Sequence, residues 1–175
     1  MRGAILAVDK ISDFCGKLSA WVFFAIGLII TYEIFVRNDF VREFLGTAPT
    51  IWVDEISRVL QVWAAYLGAA YVLKKHEMIR IDVAFKKPGS LGRRFAETLA
   101  LIIMLIFSGV TVYFGFQLWL KSTLAGHTTD SFLGLPKWFT HGSIWIGFSL
   151  LFLQSLVQIS RIWGTEKMSD GSDLK

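Results

Sequence analysis

Four long apolar runs constrain what this chain can become: LSAWVFFAIGLIITYEIFV at 18–36, ISRVLQVWAAYLGAAYVL at 56–73, TLALIIMLIFSGVTVYFGFQLWL at 98–120 and WFTHGSIWIGFSLLFLQSLVQIS at 138–160. A helix advances about 1.5 Å per residue, so roughly 20 residues cross a hydrocarbon core of about 30 Å. The third and fourth runs contain no Asp, Glu, Lys or Arg and reach that length outright. The first and second carry one charge each, Glu33 and Arg58, and need their polar flanks to reach the headgroups. A helix of a soluble bundle would keep a polar face, whereas 98–114 offers little beyond Thr98, Ser108 and Thr111. The expected fold is therefore an all-α integral membrane protein with four transmembrane helices. They lie at about 14–37, 52–74, 90–121 and 137–163, in one membrane domain over 1–163 with a polar tail at 164–175.

The first run reads as a retained anchor. No small-residue cleavage site follows its apolar stretch 18–32, after which come Glu33, Arg37, Asn38 and Asp39. The single cysteine, Cys15, excludes an internal disulfide and reads as a packed, inert thiol.

Charge gives the orientation, because Lys and Arg accumulate on the cytoplasmic side. The N-terminal segment carries Arg2, Lys10 and Lys17, and the second loop Lys74, Lys75, Arg80, Lys86, Lys87, Arg93 and Arg94. The tail adds Arg161, Lys167 and Lys175. Four crossings place these 13 residues on one side, against Arg37, Arg42, Lys121 and Lys137 on the other. Both termini are expected in the cytoplasm. The basic second loop then serves orientation and contact with phospholipid headgroups, and no nucleic-acid partner is expected. Trp52, Trp119 and Trp138 fall at the non-cytoplasmic ends of their runs, where indole rings favour the interface, whereas Trp63 and Trp145 lie deeper and suit helix packing.

The loops hold short surface segments rather than domains. MIRIDVAF at 78–85 alternates apolar and polar residues and reads as a membrane-surface stretch; Pro88-Gly89 ends it and Ser90 is a candidate N-cap for the third helix. The loop before Gly46 and Pro49 has room for a short surface helix, and HTTDSFLGLPKW at 127–138 is rich in turn formers.

On a helical wheel of the second run, Asp54, Arg58, Gln61, Ala65, Ala69 and Val72 share one side, with Gly68 at its margin, opposite Ile56, Leu60, Trp63 and Leu67. Small residues permit close helix approach, and a charge within the membrane turns toward protein. That side is expected to pack on protein, either sibling helices or another subunit. Arg58 either meets a carboxylate there or pairs with Asp54 four residues earlier and reaches the headgroups. Glu33 and Arg37, also four apart with the acid first, read as a structural ion pair, as do the charges at Asp54 and Glu55. No phosphate loop, HExxH, paired-cysteine motif or Ser-His-Asp arrangement is present. The chain looks like a non-enzymatic partner.

The segment IWVDEISRVLQVWAAYLGAAYVLKKHEMIRID, Ile51 to Asp82, resembles the signature region of the small, DctQ-like membrane subunit of tripartite ATP-independent periplasmic (TRAP) transporters. The matching features are an aromatic and an acidic pair, a basic residue at Arg58, an aromatic at Trp63, the small stretch Leu67-Gly68-Ala69-Ala70, and a basic turn leading to Ile79-Arg80-Ile81-Asp82. Arg37-Asn38-Asp39-Phe40 and Gly134-Leu135-Pro136-Lys137-Trp138 add weaker matches. One departure is His76, which stands before Glu77-Met78 rather than just before the extended motif. The resemblance implies a multi-pass subunit of the bacterial inner membrane, working with a large membrane subunit and a periplasmic substrate-binding protein. It implies sodium-driven import of an organic acid, such as a C4-dicarboxylate, a sialic acid, a keto acid or a sulfonate. Sodium sites and elevator motion would belong to the large subunit, with no cofactor in this chain and a bracing role for it. The outer loops, with Asp54, Glu55 and Asp130, are then expected to help dock the binding protein.

Two other readings compete. A membrane anchor of a respiratory complex would bind quinone or haem, but His76, His127 and His141 do not provide two imidazoles at one depth. An independent scaffold protein would form no stable complex with a large carrier.

Overall fold

A computed structural model describes residues 2–38, 43, 46, 50–75 and 91–164. Its regular elements among those residues are all helices: α1 (Arg2–Arg37), α2 (Ile51–Lys74), α3 (Leu91–Leu124) and α4 (Lys137–Gly164). All four are long and apolar enough to cross a membrane. The expected surface stretch at 78–85, the candidate N-cap Ser90, His76, the motif at 79–82 and most of 39–49 lie outside the described residues, as does 165–175.

Two helices run longer than their apolar pattern implies. The first was expected from about residue 14 but begins at Arg2, giving 36 residues and a length of about 54 Å. Its charged first turns hold helical form because Asp9 and Asp13 find cationic partners on other helices. α3 continues past 121 to Leu124 and closes with a Schellman motif. His127 N donates to Ser122 O (3.1 Å) and Gly126 N to Thr123 O (3.1 Å), with Gly126 at φ 62°. The loop that follows is tied by a bridge between Thr128 and Pro136 and delivers the chain to α4, where Phe139 N reaches Pro136 O at 3.1 Å.

The helices form a bent row in the order α1, α2, α4, α3. α1 also touches α4, while among the described residues α3 meets neither α1 nor α2. Hydrocarbon supplies no hydrophobic drive between helices, so contact relies on small residues and polar links. Gly16 lies against the Tyr71 ring, and a Cβ at Gly68 would come within 2.8 Å of Ser19 Oγ. That hydroxyl instead donates to the Ala64 carbonyl at 2.6 Å. Gly147 of α4 leaves no room for a side chain: a Cβ there would overlap Tyr66 Cβ and come within 3.0 Å of the Tyr66 carbonyl carbon.

α3 and α4 pack through aromatic side chains. Trp145 lies edge-on to Phe116 and tilted over Trp119, and Phe107 meets Phe148. The deeper tryptophans do pack: Trp63 donates its indole N–H to Phe139 O at 3.1 Å. Cys15 is buried in α1. The row leaves wide apolar faces uncovered, including Trp21, Phe24 and Ile34 on α1 and Ile103, Ile106 and Phe114 on α3.

Candidate functional site

The polar residues of the helices sort into two clasps, a loop anchor and one outward stripe. At the Thr50 end of α2, the Glu33 carboxylate is buried between α1 and α2. It accepts from Arg37 Nε at 2.9 Å, from Thr50 N at 3.2 Å and from the Thr50 hydroxyl. Thr50 is extended (φ −93°, ψ 114°) and offers no side-chain cap to α2 because its hydroxyl is committed to Glu33. Arg37 continues to Asp54 at 3.1 Å. The Glu33–Arg37 pair is thus present, and Asp54 joins it from the next helix.

Asp54 therefore does not serve Arg58. The antiparallel packing of α1 on α2 brings the Arg37 guanidinium to it first, so the i,i+4 pair open to Arg58 is not made. Glu55, unlike Asp54, is in no ion pair among the described residues. Its carboxylate anchors the loop between α3 and α4, accepting from Leu133 N at 3.0 Å, from Thr129 Oγ at 3.4 Å and from the Ser131 hydroxyl. Of the three acids considered for docking, Asp54 and Glu55 are engaged within the chain, while Asp130 is exposed on that loop.

The clasp at the other end was not foreseen. Lys74 Nζ meets Asp13 at 2.6 Å and the Asp9 carbonyl at 3.1 Å, and Arg161 pairs with the Asp9 carboxylate. Gln154, fully buried, accepts from Ser12 Oγ at 2.9 Å and donates toward Asp9 Oδ1 at 3.4 Å. Gln158 donates to Leu73 O and Lys74 O, each at 3.3 Å, holding the last turn of α2 against α4. Two i,i+4 pairs were the available signal: Asp9 with Asp13, and the amides Gln154 with Gln158 in a membrane-length helix. Lys75 lies 5.7 Å over the Tyr71 ring. Arg94 is half-buried and engaged. Arg80, Lys86, Lys87 and the side chain of Arg93 lie outside the described residues.

The stripe on α2 divides in a way the wheel did not resolve. Gly68 faces α1, Trp63 faces α4, and Ala69 packs beside Leu73. Arg58, Gln61 and Ala65 are exposed and point away from the rest of the chain, so sibling helices do not cover them. Ile56, Leu60 and Leu67, on the opposite side, are half-buried within the row. Among the described residues Arg58 and Gln61 make no hydrogen bond or ion pair.

Residues 26–165, from the middle of α1 to the end of α4, match the family described as tripartite ATP-independent periplasmic transporters, DctQ component. The chain is 28% identical over 143 residues to the isethionate TRAP transporter permease protein DctMQ of Oleidesulfovibrio alaskensis, covering 80% of this chain and 22% of that protein. It is 31% identical over 106 residues to the C4-dicarboxylate TRAP transporter small permease protein DctQ of Rhodobacter capsulatus, covering 61% and 46%. It is 25% identical over 108 residues to the sialic acid TRAP transporter permease protein SiaT of Haemophilus influenzae, covering 59% and 17%. The matched region spans less than half the length of each of these relatives.

Proposed function

Because the chain belongs to the DctQ component family of tripartite ATP-independent periplasmic transporters, we propose that it braces the large membrane subunit of a sodium-driven transporter importing an organic acid. Members of this family are transporter components, not enzymes. The large subunit carries the substrate and sodium sites and moves part of itself across the bilayer; this chain belongs to the part that stays still. Both termini lie in the cytoplasm, and the protein resides in the bacterial inner membrane. The loop anchored by Glu55, with Asp130 at its surface, contributes to the face on which a periplasmic binding protein docks.

The observation that carries this reading is the family match from the middle of α1 to the end of α4. The open row of helices supports it. A single compact bundle would hide its polar side chains, whereas this one is clasped at both ends and leaves broad faces for a larger body to occupy. The DctMQ and SiaT relatives are permease proteins several times longer than the region they share with this chain, which fits a small unit working beside a large one. The substrates these relatives are named for, isethionate, sialic acid and C4-dicarboxylates, are all organic acids.

The test is reconstituted uptake. Proteoliposomes holding this chain and the large subunit, supplied with the binding protein, are expected to accumulate an organic acid only under an inward sodium gradient. Uptake that is equally fast without this chain would refute the bracing role.

A further inference from the structure

We propose that Arg58, Gln61 and Ala65 form the seat for one helix of the large permease subunit, and that this helix presents a carboxylate to Arg58 and an amide or hydroxyl to Gln61. The inference rests on the proposed function and names the surface through which it is carried out.

α2 has three sides. Ala64, Gly68 and Tyr71 turn to α1. Trp63 and Tyr66 turn to α4. Arg58, Gln61 and Ala65 occupy the remaining side and are exposed. Several charges elsewhere in the helices meet partners: Glu33 has Arg37 and Thr50, Lys74 has Asp13, and Arg161 has Asp9. On the outward side of α2 a guanidinium and an amide stand together, one turn apart, with no hydrogen bond or ion pair among the described residues; the Arg58 charge acts only at longer range on Glu55, whose carboxylate is committed to the loop between α3 and α4.

Depth decides what can cover them. Gln61 lies about 15 Å along the helix from Ile51 and about 20 Å from Lys74, well inside the span from either end. Hydrocarbon offers an amide neither donor nor acceptor, so polar groups at this depth face protein or a water-filled cavity. Arg58, nearer the Ile51 end, is long enough to reach a lipid phosphate by itself. Gln61 is shorter and one turn deeper, and lipid tails cannot serve it. A protein helix can serve both at once. Ala65, one turn further on, leaves the low profile that lets another backbone come close enough for short side chains to meet. A planar guanidinium taken out of water is matched best by a carboxylate, which it holds with two parallel hydrogen bonds.

The test uses the complete complex, with the large subunit and this chain expressed together and a photoreactive benzoylphenylalanine placed at position 61 or 65. Positions 103 and 106, exposed on α3, serve as controls. Adducts with the large subunit are expected from 61 and 65, and far fewer from 103 and 106. In parallel, the double variant Arg58→Leu/Gln61→Leu should retain at least about tenfold less large subunit on an affinity resin, with its own membrane level and helical content unchanged. The proposal is overturned if the complex co-purifies but 61 and 65 react only with lipid, if α3 positions give the adducts instead, or if the double variant holds the large subunit fully. Failure of the unmodified chain to retain any large subunit would overturn the proposed function itself, and this inference with it.

Discussion

Glu33 of α1 and Thr50 at the start of α2 are joined twice, through the Thr50 amide at 3.2 Å and through its hydroxyl. A carboxylate buried at the end of a membrane helix thus does the work of a helix cap for its neighbour. It is balanced by Arg37, which also reaches Asp54. The pairing fixes where α2 begins relative to α1.

Replacing Glu33 with leucine should strip Thr50 and Arg37 of their shared acceptor and loosen this end of the α1–α2 pair. The expected outcome is lower thermal stability in detergent and several-fold lower accumulation in the membrane. Glu33→Gln, which keeps an acceptor oxygen, should fall between the two. Melting curves of the purified variants check the ranking.

Gly147 sets the spacing of α4 against α2, because a side chain there would strike the Tyr66 backbone. Gly147→Leu is expected to cost about 1–3 kcal/mol by forcing the helices apart. Gly27, with nothing within 4 Å of its would-be Cβ, supplies the control, and Gly27→Ala should be neutral or slightly stabilising. Unfolding by a harsh detergent titrated into mild micelles measures both.

Gln154 is the buried link between Ser12, Asp9 and α4. Gln154→Leu preserves bulk but leaves the Ser12 hydroxyl without its acceptor, at an expected cost of about 1–2 kcal/mol. The same unfolding titration reads it. The N-terminal turns of α1 should also become accessible to protease sooner than in the unaltered chain.

Glu55→Ala removes the acceptor for Leu133 N, Thr129 and Ser131 together. Hydrogen exchange at the Leu133 amide should accelerate by more than about tenfold, while amides in the middle of α4 remain protected. Uptake supported by the binding protein should fall, because the loop bearing Asp130 loses its fixed position.

The number and type of helices were legible because hydrophobic length is a local property: a run such as 98–120, with no charge, has few alternatives. Residues 2–13 were not read as helix because Arg2, Asp9, Lys10 and Asp13 look like a polar leader until Lys74 and Arg161 are brought to them, more than sixty and a hundred and fifty positions later. The wheel of α2 put Arg58, Gln61 and Ala65, all exposed, on one side with Ala69, which packs beside Leu73. It could not tell which side faced the sibling helices, since Ala64, Gly68 and Ala70 make the neighbouring side equally small. Likewise, Asp54 looked like a partner for Arg58 because they are four apart in sequence, and only the packing of α1 reveals the competing claim of Arg37.

The central claim is that this chain works as one part of a larger permease. Gentle detergent extraction from native membranes, affinity capture of the chain and mass spectrometry of what remains bound test it most directly. The expected result is a many-helix permease of the same transporter system in constant ratio to the captured chain. Recovery of the chain alone, or bound to a haem- or quinone-dependent enzyme, would contradict it.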